Sequence, residues 1–435
     1  MGKGQELYNR AKQLIPGGTQ LLSKRPEMFL PNLWPSYYKK AKRCVVIDLD
    51  DNKYIDCSYM GIGACILGYA DKDIDVAVKD AVDKGNMTTL NVPEEVELAE
   101  ILLDIHKWAD CVRYARTGGE ATSIAVRIAR AYSGKDKIMF CGYHGWHDWY
   151  LSANLAKDSA LDGHLLSGLE PKGVPRALTG NAIPFEYNKV EAFKEKFEKH
   201  VDEIGVIVME PVRNFAPEKE FISIIEQYSK QYNIPLVVDE ITAGFRLNKG
   251  GAHLLYGLHP DIAIFAKGMS NGYPMAAIIG KKDIMNTAQV SFISSTYWTD
   301  RIGPAAAIAT IKKMMANDVQ DHIVKMGKKV QDGWKRLSDK HGLNLHTSGL
   351  YPLSHFGFEK DPLHLKTLFT QLMLEKGYLA TTAFYLSYAH TDEIIDKYIN
   401  ACDEVFAVIA KSIKNDNYKD MLKGPVCHSG FQRLN

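Results

Sequence analysis

The sequence predicts an α/β protein: a large domain with a mainly parallel sheet flanked by helices, and a smaller α+β domain made from both chain ends. Three observations carry this. The runs Pro235-Leu-Val-Val-Asp239 and Asp261-Ile-Ala-Ile-Phe-Ala-Lys267 read as fully buried strands that stop at a polar residue. From about residue 70 to 303, such runs alternate with segments of helical period. Right after Thr117-Gly118-Gly119, the apolar residues Ala121, Ile124, Ala125, Ile128, Ala129 and Tyr132 recur at helical spacing.

In chain order, a polar lead opens a first helix, and a hairpin follows over Cys44–Asp56 with Asp50-Asp51-Asn52 as its turn. Two irregular stretches interrupt the large domain. One is rich in Gly and Pro at about 157–187, and the other runs over about 285–303 and ends in Tyr297-Trp-Thr-Asp300. Loops of this length commonly serve as lids or dimer contacts. From Pro304 a long helical region runs to about Gly342 with a bend near Asn317-Asp318, and shorter strands and two helices finish the chain. The expected division is 1–69 and 316–435 for the two parts of the small domain and 70–315 for the large one.

Composition narrows the partners. A chain of 435 residues that is 46% hydrophobic can bury a large core. A net charge of +1 and a pI of about 7.6 supply no field for nucleic acid or an anionic membrane, so small metabolites fit better. Seven scattered cysteines with no Cys-x-x-Cys pair argue for reduced thiols in a cytoplasm. The amino terminus lacks a signal-type apolar core, and no run approaches the ~20 apolar residues of a membrane span.

Asp239 and Lys267 each end a strand, and ligands of open α/β sheets sit outside the carboxyl ends of the strands. A lysine there can form a Schiff base with an aldehyde cofactor, and an acid can pair with a protonated pyridine nitrogen. Gly118 and Gly119, at the start of a helix, let backbone amides and the helix dipole approach an anion. Each feature alone is common, but in this order they point to one site. Competing motifs fail. Gly61-Ile-Gly lacks the third glycine of a dinucleotide fingerprint, and His144 and His147 lack further ligands for zinc, so no metal is expected.

The segments Ile15-Pro-Gly-Gly18, Tyr54-Ile-Asp-Cys57, Arg116–Thr122, Gly142-Tyr-His-Gly145, Met209-Glu-Pro-Val212, Val238–Arg246, Lys267 and Leu386–Thr391 extend the pattern along nearly the whole chain. On these residues it resembles the class III aminotransferases of fold type I, in the branch that looks like glutamate-1-semialdehyde aminomutase. The resemblance implies pyridoxal 5'-phosphate as cofactor, with Lys267 as the Schiff-base lysine and later the base, and Asp239 as partner of the pyridine nitrogen. It implies that Gly118 and Gly119 hold the phosphate and that Tyr143 stacks on the ring. Strand alternation from Asp239 would set Ile241 on the opposite ring face and turn Thr242 to the cofactor's edge. Thr296 would reach the phosphate of the neighbouring subunit in a homodimer with shared active sites. Glu210 matches a family acid near the cofactor, with a solvated strand end as its other reading.

Departures from the pattern concern the substrate. Where the aminomutase has an arginine that clamps the substrate carboxylate, this chain has Thr19–Lys24 followed by Arg25, which leaves Lys24 and Arg25 as candidates. The acid that precedes the family's Ser-Leu-Ala-His-Thr is missing, and no arginine lies between Arg336 and Arg433. The expected activity is transfer of an amino group from an amino acid donor to a keto or aldehyde acceptor. Tyr59, Tyr385, Ser387 and Tyr388 would suit a hydroxylated acceptor. The alternatives are an intramolecular aminomutase and a binding protein that keeps the fold without catalysis.

Overall fold

Seven strands form the central sheet of Lys72–Gln320: β1 (Cys111–Ala115), β2 (Lys137–Cys141), β3 (Ala182–Pro184), β4 (Ile204–Met209), β5 (Leu236–Asp239), β6 (Ile262–Phe265) and β7 (Ala276–Gly280). Their order is β1-β7-β6-β5-β4-β2-β3. All neighbouring pairs are parallel except those of β7, which runs against both β6 and β1. The other six strands therefore point the same way, and their carboxyl ends share one edge.

The computed structural model describes residues 2–155, 171–212 and 214–428. It divides into two units, Lys72–Gln320 and Met1–Asp71 with Asp321–Asn435.

Every residue of β4, β5, β6 and β7 is buried, as strands covered on both faces require. Alternate residues go to opposite sides. Val206, Val208, Val237 and Ile264 pack with Ala121, Ile124, Ala125 and Ile128 of helix α1 (Gly118–Ser133). Ile207, Met209, Leu236 and Val238 pack with Phe193, Phe197, Phe221 and Ile225 from the helices Val190–His200 and Lys219–Gln231.

The helical region after the sheet is two helices, Ile302–Ala316 and Val319–His341, separated at Asp318, which has a φ of 45°. Of the Gly- and Pro-rich stretch expected at 157–187, residues 157–170 lie outside the described residues. The remainder contains β3, too short and too close to Pro184 to be read from periodicity. The stretch 285–303 contains only short helical turns, at Lys282–Met285, Asn286–Gln289 and Thr296–Thr299, before the helix that begins at Ile302.

The other unit joins both chain ends in one sheet, where Tyr38–Lys42, Val45–Asp48 and Lys53–Cys57 form antiparallel pairs and Tyr378–Ala380 adds in parallel to Lys53–Cys57. The edge strand Tyr38–Lys42, lysine-rich and largely exposed, carries no alternating signal. A second sheet pairs Leu345–Ser348, Leu353–Phe358 and Ala383–Tyr385, and the helices Pro362–Glu375 and Asp392–Lys414 complete the unit. Among the described residues, no helix is long and apolar enough to cross a membrane.

Candidate active site

Asp239 is the last residue of β5 and is 3% exposed. Its Oδ1 accepts from the Ile241 N–H at 3.0 Å, so the side chain ends its own strand by turning the backbone. The strand alternation expected to place Ile241 stops here. Ile241 lies in the turn that follows, against the helix start: a Cβ on Gly118 would stand 2.9 Å from Ile241 Cδ1.

The other oxygen of Asp239 meets His144, whose Nδ1 lies 2.8 Å from Oδ2. The Nε2 of the same ring lies 3.1 Å from the carbonyl oxygen of Cys141. His144 is 1% exposed and stands between the Asp239 carboxylate and the Cys141 carbonyl, so it bridges the ends of β5 and β2. From sequence, His144 is considered only as a metal ligand. The signal that points to its role is its position three residues past the end of β2, a strand separated from β5 by β4 alone. Among the described residues, no group of His, Cys, Asp and Glu is arranged to hold a metal ion.

Lys267 follows β6 by two residues and is partly buried, and its Nζ donates to Thr242 Oγ1 at 2.9 Å. Burial pushes its ammonium below the ordinary lysine value and Arg246 adds to the effect, while Asp239 and Glu210 oppose it. The Lys267 backbone adopts φ 47°, a left-handed conformation that costs a side-chain-bearing residue about 1–2 kcal/mol. Strain of this kind persists where the surroundings over-determine it.

Glu210 follows β4 and is 9% exposed, so it is not a solvated strand end. Its Oε2 accepts from the Tyr143 N–H at 3.2 Å, and a Cβ on Gly142 (φ 119°) would fall 2.6 Å from that oxygen. Glycine at 142 thus lets the carboxylate close on the backbone that carries Tyr143. The Tyr143 ring is 40% exposed and edge-on to Tyr150.

Helix α1 begins with a reciprocal cap in which Glu120 N–H donates to Thr117 Oγ1 while Glu120 Oε2 accepts from the Arg116 and Thr117 amides. Gly118 and Gly119 come before the first intrahelical bond, Ala121 N–H to Thr117 O, so their amides lie in the unpaired first turn. A Cβ on Gly119 would stand 3.1 Å from His147 Cδ2. The hydroxyl of Thr122 ties this turn to the segment after β2 through the carbonyls of Gly119 and His144.

Lys267, Asp239, Glu210, Thr242, Ile241, Tyr143 and the glycine pair thus belong to neighbouring strand ends of one sheet. Thr296 is exposed on the turn Thr296–Thr299, and its side chain enters none of the hydrogen bonds that join this cluster among the described residues. Lys24 and Arg25 belong to the other unit. Lys24 closes a short 3-10 turn, and the Arg25 guanidinium lies over Gly17, where a Cβ would fall 2.3 Å from Nη2. In that unit Ser387 is fully buried with its N–H and hydroxyl on His390 Nδ1, which removes it from any substrate mouth.

The family profile described as "Aminotransferase class-III" matches residues 31–368. The chain is 31% identical to 3-aminobutyryl-CoA aminotransferase of Cloacimonas acidaminovorans, covering 95% of this chain and 99% of that one. It is also 31% identical to glutamate-1-semialdehyde 2,1-aminomutase of Persephonella marina, covering 93% and 99%. Its fold is similar to the FumI protein of Sphingopyxis sp. MTA144, solved in a pyridoxal phosphate internal aldimine form, with a TM-score of 0.85 at 24% identity over 95% and 98% of the two chains.

Proposed function

The chain belongs to the class III aminotransferase family, and from that premise we propose that it moves an amino group from an amino acid donor to a keto or aldehyde acceptor, with pyridoxal 5'-phosphate bound at the strand ends around Lys267 and Asp239. One observation carries the assignment of residues: a partly buried lysine amine and a buried, fully hydrogen-bonded carboxylate stand at the ends of adjacent parallel strands, β6 and β5.

The residues present fit the cofactor. An amine whose basicity is lowered by its surroundings suits its aldehyde, a hydrogen-bonded carboxylate suits a protonated ring nitrogen, and the unpaired amides of Gly118 and Gly119 suit its phosphate. Tyr143 and Ile241 supply a ring and an aliphatic surface for its two faces. When bound, the cofactor supplies an aldehyde that takes up the amino group and a ring that withdraws electrons from the neighbouring carbon.

The chain's own residues do the rest. Lys267 would hold the cofactor's aldehyde carbon and would be the base nearest a donor's Cα proton, its basicity lowered by burial and by Arg246. Thr242 orients that amine. Asp239 would hold a proton on the ring nitrogen, and its contacts with His144 and the Ile241 amide fix its position. Glu210 fixes the backbone of Tyr143.

A homodimer is part of the same reading. Val290, Phe292 and Tyr297, on the segment that carries Thr296, are 87%, 88% and 72% exposed, and a second copy would cover them while Thr296 reached its cofactor. All seven cysteines are free, which supports a cytoplasmic location. An intramolecular amine shift is the second reading, favoured by the relative named glutamate-1-semialdehyde 2,1-aminomutase.

The test is to follow the cofactor's absorbance while amino donors are added one at a time without acceptor. One donor should convert the aldehyde band to the amine band in a single turnover. Continued turnover of glutamate-1-semialdehyde with no acceptor would instead select the aminomutase. If added pyridoxal phosphate produces no bound band, the site is wrong.

A further inference from the structure

The segment that bears Thr296 is held through its backbone. Arg113 Nη2 donates to the Ile293 carbonyl at 2.7 Å and Arg127 Nη1 to the Phe292 carbonyl at 3.0 Å. Arg116 makes the larger set: Nη2 donates to the carbonyls of Trp298 (2.8 Å) and Asp300 (3.1 Å), Nη1 to its neighbour Ala115 (3.0 Å), and Nε pairs with the Asp300 carboxylate. The Arg116 and Asp300 side chains are 9% and 14% exposed. The second carboxylate oxygen of Asp300 accepts from the Gly303 N–H at 3.1 Å, and glycine is required there because a Cβ would stand 2.9 Å from the Pro274 carbonyl.

The same Arg116 begins the turn at the start of α1. Its own N–H donates to Glu120 Oε2, the carboxylate that also caps Thr117, directly before Gly118 and Gly119. Arg116 therefore joins the two elements: its backbone N–H is held by Glu120 in the capped turn that leads into the glycine pair, and its guanidinium holds Asp300 and the carbonyls of the Thr296 segment. A planar guanidinium with this many fixed acceptors transmits position, because it cannot shift at one end without breaking bonds at the other.

We propose that Arg116 and Asp300 are positioning residues that couple the anion-binding turn at Gly118–Gly119 to the Thr296 segment, so that phosphate held in one subunit fixes the arm it offers to a second copy of the chain. The inference rests on the cofactor and dimer readings above. It makes phosphate binding and self-association reciprocal, since a ligand that tightens the dimer is itself bound more tightly by the dimer.

The experiment is sedimentation of the cofactor-free protein, alone, with inorganic phosphate, and with pyridoxal phosphate. It is run for the unaltered chain, Asp300→Asn and Arg116→Lys, with circular dichroism confirming the fold of each. In the unaltered chain either ligand should tighten the dimer by about fivefold or more, the lower range of site-to-site coupling. In Asp300→Asn the dimer should respond to neither ligand, although pyridoxal phosphate still binds. Arg116→Lys, which keeps the charge and loses the fork, should likewise lose the response, and it decides the matter if Asp300→Asn does not fold. Equal tightening in the unaltered chain and the variants, or no tightening in the unaltered chain, overturns the coupling. Failure of pyridoxal phosphate to bind the unaltered chain at all would instead overturn the cofactor reading.

Discussion

Two regions of Lys72–Gln320 are built by opposite means. At the strand ends, side chain meets side chain: Asp239 with His144, Lys267 with Thr242, and Glu210 with the backbone of Tyr143. Between residues 290 and 300, arginines grip backbone carbonyls while Val290, Phe292 and Tyr297 face outward, with Phe292 88% exposed. The first arrangement specifies chemistry, because changing any member leaves a buried partner unsatisfied. The second specifies shape, because carbonyl contacts survive a change of side chain and leave the exposed residues free to serve an interface.

The sharpest division between the regions comes from Lys267→Ala. With the buried amine gone, amino transfer should fall by about a thousandfold or more, the combined loss of the anchoring amine and the base. Self-association of the cofactor-free protein, measured by sedimentation, should be unchanged. A dimer that fell apart in this variant would break the separation of chemistry from shape.

Phe292→Ala probes the other side. Burying a phenylalanine is worth about 1.5–3 kcal/mol, so losing it from a dimer interface should raise the dissociation constant by at least about tenfold. The melting temperature of the monomer should hardly move, because the side chain is exposed and its carbonyl still accepts from Arg127. An unchanged dimer would remove Phe292 from the interface.

A smaller effect is expected at His144. In His144→Phe, Asp239 Oδ2 loses its donor in a site with almost no access to water, which should cost about 1–3 kcal/mol of stability, read by denaturant unfolding. In a double-mutant cycle with Asp239→Asn the two losses should be strongly non-additive. Additive losses would mean that His144 acts through the Cys141 carbonyl alone.

The strand ends were legible in the sequence for a definite reason. Parallel strands buried on both faces appear as continuous apolar runs, so the polar residues that stop them, Asp239 and Lys267, stand out. The start of α1 was legible because an apolar stripe at helical spacing begins right after Thr117-Gly118-Gly119. What joins these elements was not. His144 lies 95 positions from Asp239, and Arg116 lies 184 from Asp300, and no local pattern reports a contact across such distances. Ile241 shows the limit of periodicity: alternation extended β5 past Asp239, whereas the Asp239 side chain itself had already turned the backbone. The gripping arginines were hidden for another reason, since a carbonyl partner has no residue identity to read.

The subtlest consequence of the side-chain network concerns pH. In the cofactor-free protein, the buried Lys267 has a folded-state pKa below its unfolded value, which is about 10.4 for a free lysine side chain. The unfolded chain therefore binds more protons than the folded one between those two values, and stability rises with pH across that window. Below the folded value the full penalty of a buried ammonium is present, and above about 10.4 it vanishes. Lys267→Met keeps the length and removes the charge, so the cofactor-free variant should be more stable than the unaltered chain at low pH, with the gap closing as pH rises toward 10. Thermal unfolding of both proteins across that range measures it. A gap that stays constant with pH would mean that Lys267 is solvated in the cofactor-free protein. The amine would then face solvent, as the side chains of Val290, Phe292 and Tyr297 do, and the contrast between the two regions would fail at its central residue.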